Sequence, residues 1–267
     1  MPLLQGVASS GHTCDNTAVH PWLIAAPSAI AAAAGLTAYG GWHPRAQLFG
    51  RTICRTNSPR KLALTFDDGP NPTITPKLLD LLERFNARAT FFVIGRFARE
   101  CPELVREVAA RGHLVGNHTE SHPNLFWRGP SDIRIELRLC QSLLTGILGK
   151  PTKWFRPPFG LRNPYLAKAA RELNLRVVMW TLLPGDWRAP SAEWLIGRIE
   201  PITERAKAVA RQSSGTGEVL CLHDGDHRRP DGDRNHTLAA LEYWLPRCRD
   251  LGLELVTIEN AVTIPAP

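Results

Sequence analysis

The chain has 267 residues, 43% hydrophobic and 21% charged, which is enough apolar material for one sizeable core and excludes a disordered or fibrous protein. Its net charge of +7 comes mostly from scattered arginines. No basic block is interleaved with aromatics, so nucleic acid is not an expected partner, and only a mild attraction to anionic surfaces is implied.

The first distinct segment is residues 22–41, WLIAAPSAIAAAAGLTAYGG, an uncharged run of about the length that spans a bilayer. Its alanines and Pro27 make it only marginally hydrophobic. A membrane anchor is the favoured reading. A signal peptide is weakened by the absence of Lys and Arg from residues 1–21. An apolar helix docked on the domain is the third reading. Arg45, Arg51, Arg55, Arg60 and Lys61 follow the run, which would place the rest of the chain on the cytoplasmic side. A membrane-associated monomer is expected, with a secreted or periplasmic protein as the alternative. Residues 1–60 read as an N-terminal extension and 61–267 as a catalytic domain. The six cysteines, at 14, 54, 101, 140, 221 and 248, form no CxxC pair. They read as buried free thiols, which leans toward a reducing compartment.

From Lys61 the pattern alternates. KLALTF reads as a strand, ITPKLLDLLERFN as a helix, ATFFVIG as a strand, and PELVREVAARG as a helix closed by Gly112. HLVGNH is a short strand. SDIRIELRLCQSLLTGILG is a long helix capped by Ser131. KWFRPPFG is a strand, NPYLAKAARELN a helix and LRVVMW a strand. SAEWLIGRIEPITERAKAVAR is helical with a break near Pro201. GEVLCLHDG, HTLAALEYWLPRCRDLG and LELVTI close the series as strand, helix and strand. About seven strands with helices between them imply an α/β fold with parallel pairing and right-handed crossovers, and a barrel or an open doubly wound sheet both fit.

Polar clusters gather where these strands end: Asp67-Asp68, NHTESH at 117–122, RPPFG at 156–160, GDW at 185–187 and LHDG at 222–225. In parallel α/β folds such ends share one face, and that face holds the active site. His118 and His122, four apart, together with a carboxylate make a three-ligand set with room for water, suited to zinc and similar divalent ions.

TFDDGP, HTESH, RPPFG, the Asp-Trp of GDW and LCLHD resemble, in order, the five motifs of the polysaccharide deacetylase family (carbohydrate esterase family four), which includes nodulation-type chitooligosaccharide deacetylases. The resemblance covers about residues 61–260. It implies a distorted (β/α) barrel of about seven units and metal-dependent removal of N-acetyl groups from an amino-sugar glycan or lipid-linked precursor, releasing acetate. It implies Asp67 as catalytic base and Asp68, His118 and His122 as ligands of a divalent ion. Zinc is the first choice, with cobalt, manganese or nickel as alternatives. His223 would be the general acid, Asp186 its acidic partner, and Arg156 the residue that orients the base. Pro157, Phe159, Trp187 and Leu222 would contact substrate. Thr181 stands where many members carry an acidic residue, so the groove floor is expected to differ. Gly69 is expected to permit close approach, and Pro70 and Pro72 to stiffen the turn after the carboxylates. Asp224 reads as a brace, and His227 and His236 as solvated. An O-acetyl glycan esterase and a non-catalytic glycan-binding protein are the alternatives.

Overall fold

The computed structural model describes residues 21–209 and 214–263. Contacts divide the chain after Ala38. Helix α1 (Pro21–Trp42) is long, with Pro27 inside it. No helix among the described residues is long and apolar enough to cross a membrane, so the membrane-anchor reading of 22–41 gains no support. At 22 residues the helix is long enough. Its alanines and glycines dilute the few larger apolar side chains.

The unit that starts at Tyr39 carries the rest of the elements. Its first residues are fastened by Arg162, whose side chain is buried. The Arg162 backbone N–H donates to the Gly41 carbonyl, and its guanidinium donates to the carbonyls of His43 and Ala46 at 2.6 and 3.0 Å.

Strand β1 (Thr52–Ile53) precedes the central strand β2 (Lys61–Gly69), which is buried from Leu62 onward. Burial on both faces is what an apolar run in a parallel sheet should show. Helix α2 (Thr75–Arg84) takes Pro76 in its first turn and buries Leu78, Leu79, Leu81 and Leu82. Strand β3 (Thr90–Val93) leads into α3 (Gly95–Glu100), which the pattern did not reveal, then α4 (Pro102–Ala110). Gly112 ends α4 in the left-handed region, as expected. Strand β4 (Leu114–Asn117) is followed by α5 (Pro130–Leu148). The residue preceding α5 is Gly129; Ser131 lies inside the first turn and makes no cap.

The second half has shorter strands. Strand β5 (Trp154–Phe155), α6 (Leu166–Glu172), β6 (Arg176–Val178) and α7 (Ala192–Val209) follow, the last running through Pro201. Strand β7 (Glu218–His223), α8 (Asn235–Asp250), β8 (Glu254–Val256) and α9 (Ile258–Ala261) complete the chain. The strand order is β1-β6-β5-β4-β3-β2-β7, with β8 on the first residues of β2, and every ladder is parallel.

The curled sheet joins its own edges. Thr56 N–H donates to the Gly217 carbonyl, and Leu182 bridges to Leu220 of β7. Thr181 takes part in this seam, its hydroxyl accepting from Val219 N–H at 2.9 Å and donating to the Val219 carbonyl at 3.0 Å. The five described cysteines are free; Cys140, Cys221 and Cys248 are buried, Cys54 and Cys101 partly so.

Candidate active site

Neighbouring side chains on a strand point to opposite faces. Asp67 and Asp68 nevertheless line one cleft. The β2 backbone explains this. The β2–β3 register shifts between Asp67 and Gly69, so Asp68 is a bulged residue, and its φ is +70°. That left-handed turn redirects one carboxylate to the side its neighbour already faces. Thr119, His122 and Phe159 also hold positive φ, at 67°, 61° and 58°. Non-glycine residues in this region gather where surrounding structure over-determines them, as at functional sites. Gly69 is required next in line because Asp224 lies directly over it, where a Cβ would meet the carboxylate.

The two carboxylates have different company. Asp67 pairs through register with His223, and Thr65 with Cys221, so all four face the barrel interior. Arg156 is fully buried below them. Its Nη1 donates to Asp67 Oδ1 at 2.8 Å and Thr65 Oγ1 at 2.7 Å. Its Nε and Nη2 donate to the carbonyls of Val178 and Met179, and the guanidinium lies 4.4 Å from the centroid of the Phe92 ring. A charge buried this deeply needs such pairing. The Cys221 thiol donates to Asp67 Oδ2 at 3.4 Å.

Asp68 faces imidazoles instead. Its Oδ1 is 3.4 Å from His118 Nε2 and 3.1 Å from His122 Nε2, yet it is buried without a hydrogen bond. His118 donates its Nδ1 proton to the Arg156 carbonyl at 2.7 Å, which leaves Nε2 as a bare lone pair. An unsatisfied carboxylate oxygen and imidazole nitrogens converging on one point form a donor set that fits a divalent cation of the zinc type. Burial alone would raise the Asp68 carboxyl, but His118, His122 and His227 hold it well below the ordinary carboxylate range. Burial lowers the His122 imidazole.

At the end of β7, His223 receives both oxygens of the buried Asp186. The His223 Nδ1–H donates to Oδ1 at 2.8 Å and its backbone N–H to Oδ2 at 2.7 Å. Burial would lower this imidazole, yet Asp186, with Asp68 and Asp67 behind it, raises it to about 9. Asp186 is held in turn by the Thr237 hydroxyl at 3.3 Å, and His236 Nε2–H donates to the Asp186 carbonyl at 2.6 Å. His236 is therefore not a solvated residue. Asp224 accepts from the Thr75 hydroxyl, and burial raises its carboxyl to about 7, in keeping with a brace.

The cleft above these groups has a volume of about 300 Å³. Phe159 and Trp187 line it, Phe159 edge-on to His122 and Trp187 edge-on to His223. Leu222 and Pro157 do not line it. Leu222 pairs with Phe66 in the core, and Pro157 is buried at the start of the 3₁₀ turn that carries Phe159. Thr181 is likewise absent from the floor because it serves the barrel seam.

Sequence reasoning missed Trp42, Trp180, Leu183, Cys221, Arg228 and Arg234 as lining residues. Cys221 was legible in principle, since it stands two residues before His223 on one strand face. His227 is also a correction. It stacks on His122 with centroids 4.6 Å apart, and its Nδ1 is 3.7 Å from Asp68 Oδ2.

With this geometry in place, comparison with known proteins is direct. The family profile described as polysaccharide deacetylase matches residues 55–178. The chain is 35% identical over 217 residues to a chitooligosaccharide deacetylase of Azorhizobium caulinodans, covering 78% of this chain and 97% of that one. It is 36% identical over 214 residues to a peptidoglycan-N-acetylglucosamine deacetylase of Bacillus cereus, covering 76% and 89%. The solved chitin deacetylase of the fungal pathogen Colletotrichum lindemuthianum superposes with a TM-score of 0.69 at 27% identity, over 81% of this chain and 93% of that one. The chain belongs to the polysaccharide deacetylase family.

Proposed function

We propose that this chain is a metal-dependent hydrolase that removes N-acetyl groups from an N-acetylglucosamine-containing glycan and releases acetate. The observation that carries the reading is the division between two adjacent carboxylates, one tied to a guanidinium and the other facing two imidazoles. The names of the relatives, all acting on acetylated amino sugars, point to the same substrate class.

Asp68, His118 and His122 would hold the divalent ion, with zinc the first choice from the nitrogen–oxygen donor set. When bound it would supply Lewis acidity toward the acetamide carbonyl and its attacking water. Asp67 takes the proton of that water through Oδ2, because Oδ1 is engaged by Arg156. Arg156 fixes the carboxylate in place. His223 carries a proton at neutral pH and delivers it from Nε2 to the departing amine, since Nδ1 is held by Asp186. Phe159 and Trp187 border the space where the acetyl group would sit.

The test is mass spectrometry of N-acetylglucosamine oligomers and peptidoglycan fragments after incubation with the zinc-loaded protein, beside O-acetylated xylan. Loss of acetyl from the amino sugars is expected. Release from the O-acetylated glycan alone would make the protein an esterase, and release from neither would leave it a binding protein.

A further inference from the structure

Three exposed aromatics border the cleft: Trp42, Phe159 and Trp187, 74%, 49% and 43% exposed. The last two touch the catalytic histidines. Trp42 does not: among the described residues no hydrogen bond or ring contact engages its indole. An indole left this open at the edge of a binding cleft is an unusual use of the largest apolar side chain.

Its backbone is nonetheless firmly held. Gly41 is packed so closely that a Cβ would lie 2.6 Å from the Phe126 ring. The carbonyls of Gly41, His43 and Ala46 all accept from the buried Arg162. Tyr39 stacks on His43 with centroids 4.9 Å apart. Phe126 follows β4 and Arg162 follows β5, so Trp42 stands on the side of the rim formed by those loops. The family match begins at residue 55, so Trp42 comes from outside it.

We infer that Trp42 forms a sugar-stacking subsite beyond the catalytic centre, binding a neighbouring pyranose of the same amino-sugar chain whose acetamide lies over Asp67 and Asp68. A pyranose in the equatorial chair presents axial C–H bonds on its faces and hydroxyls at its edge. An open indole face accepts the first, and the unengaged Nε1–H can donate to the second. Continuity with the cleft makes the occupant another ring of the bound glycan, and the preference it creates is for an oligosaccharide over a single sugar. The inference rests on the function proposed above.

Binding separates the two. The N-acetylglucosamine tetrasaccharide is titrated calorimetrically into zinc-loaded full-length Asp67→Asn protein, with and without Trp42→Ala. Binding should weaken roughly tenfold without the indole, and Trp42→Tyr should restore most of it. In the otherwise native chain, Trp42→Ala should hydrolyse 4-nitrophenyl acetate at the native rate, since the indole touches no catalytic residue. Equal tetrasaccharide affinity with and without Trp42, no binding at all, or an equal loss on the small ester would each overturn the subsite. A tetrasaccharide that binds through Trp42 but keeps all its acetyl groups with the native chain would overturn the proposed reaction instead.

Discussion

The floor and the rim of the cleft are built on different principles. On the floor, Arg156 donates from Nε and Nη2 to two carbonyls and from Nη1 to a hydroxyl, a carboxylate and a thiol sulfur. Asp186 is fully buried, and its carboxylate accepts three hydrogen bonds, two from His223 and one from Thr237. At the rim, Trp42 is largely open, and the Arg228 side chain is 79% exposed with only a 3.9 Å approach to Asp226. Groups that must hold or move a proton at a fixed atom are over-determined by buried neighbours. Groups that meet a variable ligand are presented on a fixed backbone with a free end. Substitutions on the floor should therefore damage chemistry, and those at the rim should damage recognition.

The largest effect should come from the neighbouring carboxylates. Asp67→Asn is expected to lose roughly a hundred- to ten-thousand-fold in kcat while retaining its metal. Asp68→Asn should lose metal as well, because it removes a ligand. Elemental analysis of the two purified variants decides, and equal metal content would erase the division of roles.

The acid comes next. His223 is raised from an ordinary 6.5 to about 9, so its charged form persists through neutrality, and amide hydrolysis should decline as pH rises through about 9. The stability it lends has the same sign, complete below 6.5 and lost as pH rises through about 9. Asp186→Asn should move the alkaline limb toward lower pH and cost roughly tenfold or more in rate at pH 8. An unmoved limb would mean that His223 is not the acid.

A smaller change is expected at His227, between floor and rim. It stacks on one ligand, and its nitrogen faces the second oxygen of another. His227→Ala should weaken zinc affinity on the order of tenfold, read by competition with a chromophoric chelator. No change in affinity would make it a rim residue only.

The sequence carried the floor better than the rim for a physical reason. Asp67, Asp68, His118, Arg156 and His223 stand at or next to strand ends, with His122 and Asp186 on the loops that follow, where parallel topology brings distant motifs to one face. The bulge at Asp68 and the left-handed turns at His122 and Phe159 leave no such signature, because bulky residues adopt those angles only under tertiary constraint. Leu222 was misplaced because alternation on β7 sends Cys221 and His223 inward and Leu222 to the opposite face. His227 and His236 lie beside a polar loop, and nothing local distinguishes a histidine bound to a carbonyl from one in water. The apolar run was legible as a helix but gains no support as a membrane span, since length and lack of charge do not measure hydrophobicity.

The buried Arg162 has a practical meaning for anyone who shortens this chain. Its guanidinium reaches back to His43 and Ala46, residues that precede the matched family region. A chain that begins at Tyr39 keeps every acceptor of this clasp. One that begins at 45 removes the His43 and Gly41 carbonyls and leaves the buried guanidinium with only the Ala46 carbonyl to receive it. The first should melt as the full-length protein does, and the second distinctly lower, so the cut site rather than the catalytic motifs would decide whether a shortened enzyme survives purification.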